Sequence, residues 1–140
     1  MTGEFQHTID TKGRMIMPAK FREELGDKLV ATKGLDKCLF IFHVSEWQKL
    51  DKQLSELSLS KGRDIQRFFY GGMTECEIDK QGRILIPQNL REYAGLEKDV
   101  VVIGLNRRGE IWSKQNWEEL NEKYLEDADK VALQMEDLGI

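Results

Sequence analysis

Arg14 and Arg83 each follow a glycine directly and stand four residues beyond an aspartate, in the segments DTKGR and DKQGR. A guanidinium displayed at the tip of a turn can pair bidentately with O6 and N7 of guanine, or with a phosphate. Lys12, Lys80, Lys20, Arg22 and Arg91 lie close by in sequence and could supply sequence-independent phosphate contacts. The same two arginines could instead pair with Asp10 and Asp79 and staple the turns. The two uses are compatible, because a carboxylate can aim the guanidinium it holds. Asp10, Gly13, Asp79 and Gly82 are expected to shape the turns, since Asp at the first position and Gly at the fourth is a type I preference. A left-handed Gly then lets the chain return as a strand through a bulge.

Little else in the chain suggests chemistry. His7 and His43 stand apart, with no catalytic partner in view. There is no nucleophile elbow, P-loop or dinucleotide fingerprint. Cys38 and Cys76 form no C-x-x-C pair and have no histidines clustered around them. They read as reduced, partly buried thiols, not zinc ligands. The chain is therefore not expected to be an enzyme, or to use a cofactor, a metal or a small-molecule substrate.

The elements that must position the arginines come as an internal repeat. Residues 8–22, TIDTKGRMIMPAKFR, align without gaps on residues 77–91, EIDKQGRILIPQNLR, at an offset of 69. Ile, Asp, Gly, Arg, Pro and the second Arg are identical. Gly26 and Gly95 follow the prolines at equal distance, and Trp47 and Leu50 match Trp117 and Leu120 at an offset of 70, as though one residue were added near Asp99. Each copy reads as a strand (Phe5 to Ile9, Met73 to Ile78), the turn, and a returning strand (Arg14 to Met17, Arg83 to Ile86). A helix opened by Pro18 or Pro87 follows, stopped by Gly26 or Gly95. Two further strands come next, Leu29 to Thr32 and Cys38 to Phe42, or Val100 to Leu105 and Glu110 to Ser113. An amphipathic helix closes each copy, with Ser45 and Gln48, or Asn116 and Glu119, as capping boxes. Trp47, Leu50, Leu54 and Leu57, or Trp117, Leu120 and Tyr124, form its apolar stripe. His7 aligns with Cys76, so the two are expected at equivalent core positions. Arg107 and Arg108 read as an exposed turn without a role.

Two helices have no repeat partner. One, over 61–70, links the copies and is broken by Gly71 and Gly72. The other, over 127–138, carries Ala128, Val131, Ala132, Met135 and Leu138 on one face, free to pack on the same chain or on a neighbour. The expected organisation is a single domain over 1–140: repeat one about 5–58, the linker helix, repeat two about 73–125, and the C-terminal helix. One copy alone has a marginal core and open sheet edges, whereas two copies about a pseudo-two-fold can close the sheet into a barrel.

Of 140 residues, 40% are apolar and 33% charged, which suits a folded protein. No apolar run is long enough to cross a bilayer, and no basic segment followed by an apolar core opens the chain, so neither membrane nor secretory targeting is expected. The net charge of −4 is uneven: from Glu118 onward there are eight acidic and two basic residues, a net of −6, which leaves +2 (−4 minus −6) on the first 117. Charge placement, not its sum, governs nucleic-acid binding. The acidic tail itself reads as a solvated helix.

The doubled D-x-x-G-R-x-x-x-P motif resembles the MraZ family, within the SpoVT/AbrB-like superfamily. GEFQHTIDTKGRMIMPAKFREEL is similar to that family's opening and TECEIDKQGRILIP to its second motif. The resemblance implies an α+β fold, a swapped-hairpin, double-split β-barrel with flanking helices. It also implies a cytoplasmic, nucleoid-associated transcription factor that binds double-stranded DNA. Its target would be direct repeats in the promoter of the division and cell-wall gene cluster, its own gene included, usually acting as a repressor. Homo-oligomers closed into a ring, with the motif loops on one face, are implied as well. Gln81 stands where the first copy has Lys12, so the two copies are not equally basic. The competing reading is an assembly or scaffold protein whose basic loops are merely solvated.

Overall fold

The inner strands of this chain are apolar on both faces, as LFIF at 39–42 and VVVI at 100–103 show. Such runs suit strands covered on both sides. The computed structural model describes residues 1–140 and places them in chain order as follows. The first half holds β1 (Thr2–Thr8), β2 (Arg14–Ile16), α1 (Ala19–Leu25), β3 (Lys28–Lys33), β4 (Leu39–Phe42), α2 (Val44–Ser55) and α3 (Leu59–Gly72). The second holds β5 (Thr74–Glu77), β6 (Arg83–Leu85), α4 (Gln88–Ala94), β7 (Asp99–Leu105), β8 (Gly109–Ser113), α5 (Lys114–Glu126) and α6 (Ala128–Glu136). The fold is mixed α+β, and every strand pair is antiparallel.

Six strands form one sheet in the order β1-β7-β8-β4-β3-β5, and β2 pairs with β6 in a separate ribbon. Exchanging the two copies reverses the six-strand order onto itself. Each copy's first strand therefore lies on the other copy's third: β1 on β7 and β5 on β3. The expected local hairpin between β1 and β2 does not form. After the turn the strands share one bridge, Ile9 to Met15, and part. Their backbone groups are satisfied across the repeat instead, with Ile9 N–H donating to Lys98 O and Ile78 N–H to Asp27 O, both at 2.8 Å.

The registers refine the repeat. His7 faces Val100 where Cys76 faces Leu29, and Val101 faces Trp112 where Val30 faces Phe42. The third strands are thus offset by 71 and the fourth by 70. The second copy has gained two residues before β7 and lost one in the β7–β8 loop, in place of one insertion near Asp99. His7 and Cys76 do occupy equivalent positions; Cys76 is buried and His7 half-buried.

Alternation along the sheet sorts residues into two cores. Leu29, Ala31, Leu39, Ile41, Val100, Val102 and Ile111 point to one side, where they meet Met15 and Ile84 of the ribbon, Phe21 of α1 and Leu90 of α4. Val30, Phe40, Phe42, Val101, Ile103 and Trp112 point to the other, under Trp47 of α2, Phe69 of α3 and Trp117 of α5. Full burial of a side chain such as Phe21 contributes about 1.5–3 kcal/mol, so the first core anchors the ribbon firmly.

Several helix ends differ from expectation by local chemistry. His43, not Ser45, caps α2, its Nδ1 accepting from Ser45 N–H at 3.0 Å. Ser113, not Asn116, caps α5, its Oγ accepting from Asn116 N–H at 3.1 Å. Pro18 and Pro87 are the caps of α1 and α4, one residue ahead of the first helical position. Gly72 stays helical instead of breaking the run, and it packs on Lys33, where an added Cβ would lie 2.9 Å from Cγ. The C-terminal segment departs from α5 at Asp127, and Tyr124, expected in the core, is half exposed with Leu125, Leu133, Met135 and Leu138. No helix is long and apolar enough to cross a membrane.

Candidate nucleic-acid interface

The ribbon places the two turns side by side. Arg14 faces Leu85, Met15 faces Ile84, and Ile16 faces Arg83. Because side chains alternate along a strand, Met15 and Ile84 enter the core while Arg14, Ile16, Arg83 and Leu85 share the outer face.

Each turn is built around its aspartate. Asp10 Oδ1 accepts from the N–H groups of Lys12 and Arg14, both at 2.9 Å, and Oδ2 accepts from Arg14 Nε at 2.9 Å. Asp79 repeats this with Gln81 (2.9 Å), Arg83 N–H (2.8 Å) and Arg83 Nε (3.1 Å). Hydrogen bonds from the backbone N–H of Arg14 and Arg83, more than the guanidiniums themselves, hold both carboxyls below the ordinary aspartate range. The carboxylate takes Nε and leaves the two terminal nitrogens of each guanidinium without a partner in the chain, with the arginine side chains 41% and 36% exposed. Stapling and display thus coexist in the same residue.

The glycines serve a second purpose. Gly13 and Gly82 have φ of +90° and +79°, and each carbonyl accepts from the opposite copy: Ile86 N–H to Gly13 O at 2.8 Å, Met17 N–H to Gly82 O at 2.9 Å. A Cβ on Gly13 would lie 2.5 Å from Ile86 O and 2.8 Å from Arg91 Nε.

Of the residues read as candidate phosphate contacts, Lys12, Lys80 and Lys20 are exposed and free of salt bridges. Arg91 and Arg22 are placed differently. Arg91 Nε donates to Ile86 O at 3.0 Å and Nη1 to Thr11 O at 3.3 Å, so it props the first copy's turn from behind. Arg22 lies against Gly82 in the same way, its Nε buried without a partner. Both are half-buried supports of the opposite turn.

Sequence reasoning missed three residues of this surface. Ile16 and Leu85 are exposed on the ribbon face, and Lys98 lines a shallow depression together with Arg14, Ile16 and Arg83. Strict alternation from Arg14 and from Arg83 would have found the first two. Arg108, read from the sequence as an exposed turn residue without a role, lies over the Phe40 ring at 4.8 Å and pairs with Glu110 at 3.3 Å. Glu110 in turn accepts from Trp112 Nε1 at 3.0 Å, so Arg108 closes the second core.

The chain matches the family described as "MraZ protein, putative antitoxin-like" twice, over residues 1–67 and 69–136. The transcriptional regulator MraZ of Halothermothrix orenii is 55% identical over 140 residues, covering 99% of this chain and 98% of its own. The protein of the same name from Thermoanaerobacter sp. is 54% identical, covering 100% and 99%. That from Heliobacterium modesticaldum is 51% identical, covering 99% and 98%.

Proposed function

This chain belongs to the MraZ family, and on that premise we propose that it is a sequence-specific DNA-binding transcriptional regulator. The observation that carries the proposal is the ribbon face, where Arg14 and Arg83 stand on adjacent strands, partly exposed, with their terminal nitrogens unpaired. A two-stranded ribbon fits the major groove, and an Arg there reads guanine. Lys12, Lys80 and Lys20 supply phosphate contacts around it. Arg22 and Arg91 act by holding the turns, with Asp10, Gly13, Asp79 and Gly82 setting their shape.

The finer reading is a repressor of the division and cell-wall gene cluster, its own gene included, acting on direct repeats in that promoter from the cytoplasm and nucleoid. The fold is read as one pseudo-symmetric domain over 1–140, a swapped-hairpin, double-split β-barrel; the reciprocal pairing of β1 with β7 and β5 with β3 supports it. Subunits close into a homo-oligomeric ring. The exposed apolar face that Tyr124 and Leu125 of α5 share with Ala128, Val131, Ala132 and Met135 of α6 favours this, because apolar surface of that kind is ordinarily covered. A ring presenting one ribbon per subunit engages successive repeats together, which multiplies affinity without new contacts.

A gel-shift titration on the DNA upstream of this protein's own gene, against a shuffled fragment of equal composition, tests the function. The native fragment binds more tightly, and its affinity falls steeply as salt rises. Equal affinity for both fragments would favour the scaffold reading.

A further inference from the structure

We propose that Ile16 and Leu85 read thymine methyl groups, making the ribbon a mixed cation and methyl reader of base edges. The inference rests on the DNA-binding function proposed above and concerns how that site chooses its sequence.

Ile16 is 46% and Leu85 57% exposed, although both lie on a ribbon whose other face is sealed into the core by Met15 and Ile84. The cross-strand pairs are Arg14 with Leu85 and Ile16 with Arg83, so each aliphatic side chain has a guanidinium directly opposite. The six ribbon residues include no acidic side chain. A surface that alternates cation and branched aliphatic, its neighbouring carboxylates Asp10 and Asp79 each engaged by an arginine Nε, matches the floor of a major groove. There guanine offers O6 and N7, and thymine is the base with a C5 methyl. Cross-strand neighbours lie about 4.5–5.5 Å apart, between one and two base-pair steps of about 3.4 Å, so one ribbon would read guanine and thymine at adjacent or next-adjacent steps. A β-branched or γ-branched side chain over a methyl gains area burial that the same approach to cytosine or uracil lacks. The repeat places this pairing twice about the pseudo-two-fold, with Ile16 and Leu85 at equivalent positions.

The test uses deoxyuridine, which removes the C5 methyl and alters nothing else in the base pair. A duplex enriched by the full-length protein from a random pool is synthesised in thymine and uracil forms and titrated against wild type and Ile16→Ala/Leu85→Ala. Wild type should bind the uracil duplex about fourfold more weakly for each recognised methyl that is removed. The double variant should bind both duplexes alike while keeping the wild-type mass by light scattering. Equal wild-type affinity for the two duplexes would overturn the inference and leave the DNA-binding function standing, as would a double variant that still discriminates. A variant of reduced mass would overturn it in favour of an interface between copies. Failure to enrich any sequence would overturn the parent function itself.

Discussion

Arg91, on the helix of the second copy, donates from Nε to Ile86 O at 3.0 Å and from Nη1 to Thr11 O at 3.3 Å, which places it directly behind Gly13 of the first copy. Arg22 stands in the same relation to Gly82. The arginines that display and the arginines that support are thus different residues, and each copy's turn is propped by the other. Gly13→Ala and Gly82→Ala should therefore destabilise the fold. Each adds a left-handed strain of about 1–2 kcal/mol and crowding of about 1–3 kcal/mol. Urea unfolding should show a decrease of about 2–5 kcal/mol for each, and a decrease below about 0.5 kcal/mol, the ordinary range of an inconsequential surface change, would contradict the interlocking.

Arg91→Ala should behave as a stability mutant first. It leaves two carbonyls without their charged donor, at a cost of about 1–3 kcal/mol. Arg22→Ala should cost less, since Arg22 Nε is already without a partner. Chemical denaturation together with DNA titration separates this from direct binding. Weakened DNA affinity at unchanged unfolding free energy would return both residues to the phosphate-contacting set.

Asp10 and Asp79 should titrate below the ordinary value of 3.8, chiefly because of the hydrogen bonds from Arg14 and Arg83 N–H. A carboxylate depressed in the folded state contributes stability above its unfolded value that is lost as pH falls through the folded one. The turns therefore loosen only at acid pH below the usual carboxylate range. Carbon-detected NMR titration of the two carboxyls checks this, and midpoints at or above 3.8 would contradict the turn geometry. His7 has its proton affinity lowered by burial and then by Arg22. It should contribute stability that declines as pH falls below about 6.5, a decline that His7→Gln abolishes.

The exposed stripe on α5 and α6 predicts assembly. Light scattering at micromolar concentration should give a multiple of 16.3 kDa. Charge placed on the stripe, as in Leu125→Glu with Met135→Glu, which line one apolar face of α5 and α6, should lower that mass. A wild-type mass of the single chain would remove the ring.

The turns were legible in the sequence because Asp, Gly and Arg at fixed spacing each answer a local demand of the backbone, and the repeat doubled the signal. The inner strands were legible from their apolar runs. Strand partners were not: a turn says where the chain reverses, not which strand receives its hydrogen bonds, and β1 is received by β7 in the other copy. The roles of Arg22, Arg91 and Arg108 were hidden for a related reason. Their charge suggested solvent or phosphate, whereas their neighbours Gly82, Gly13 and Phe40 come from distant parts of the chain.

The ribbon face is tested most directly by truncating its two displayed arginines. Arg14→Ala, Arg83→Ala and the double variant are titrated by fluorescence anisotropy against the DNA upstream of this protein's own gene, at several salt concentrations. Because exposed ion pairs contribute little to stability, thermal unfolding and mass should stay near wild type. Each truncation should weaken binding by about 1–3 kcal/mol where the guanidinium reads a base. Where it touches phosphate, the salt dependence should flatten by about one unit per arginine removed. Arg14→Ala should weaken binding more than Arg83→Ala, since Lys12 and Lys20 accompany it in the first copy's motif whereas Lys80 alone accompanies Arg83 in the second. The double variant should no longer bind the promoter while remaining folded and assembled. Wild-type affinity in that assembled double variant would contradict the assignment of the ribbon as the DNA-binding surface.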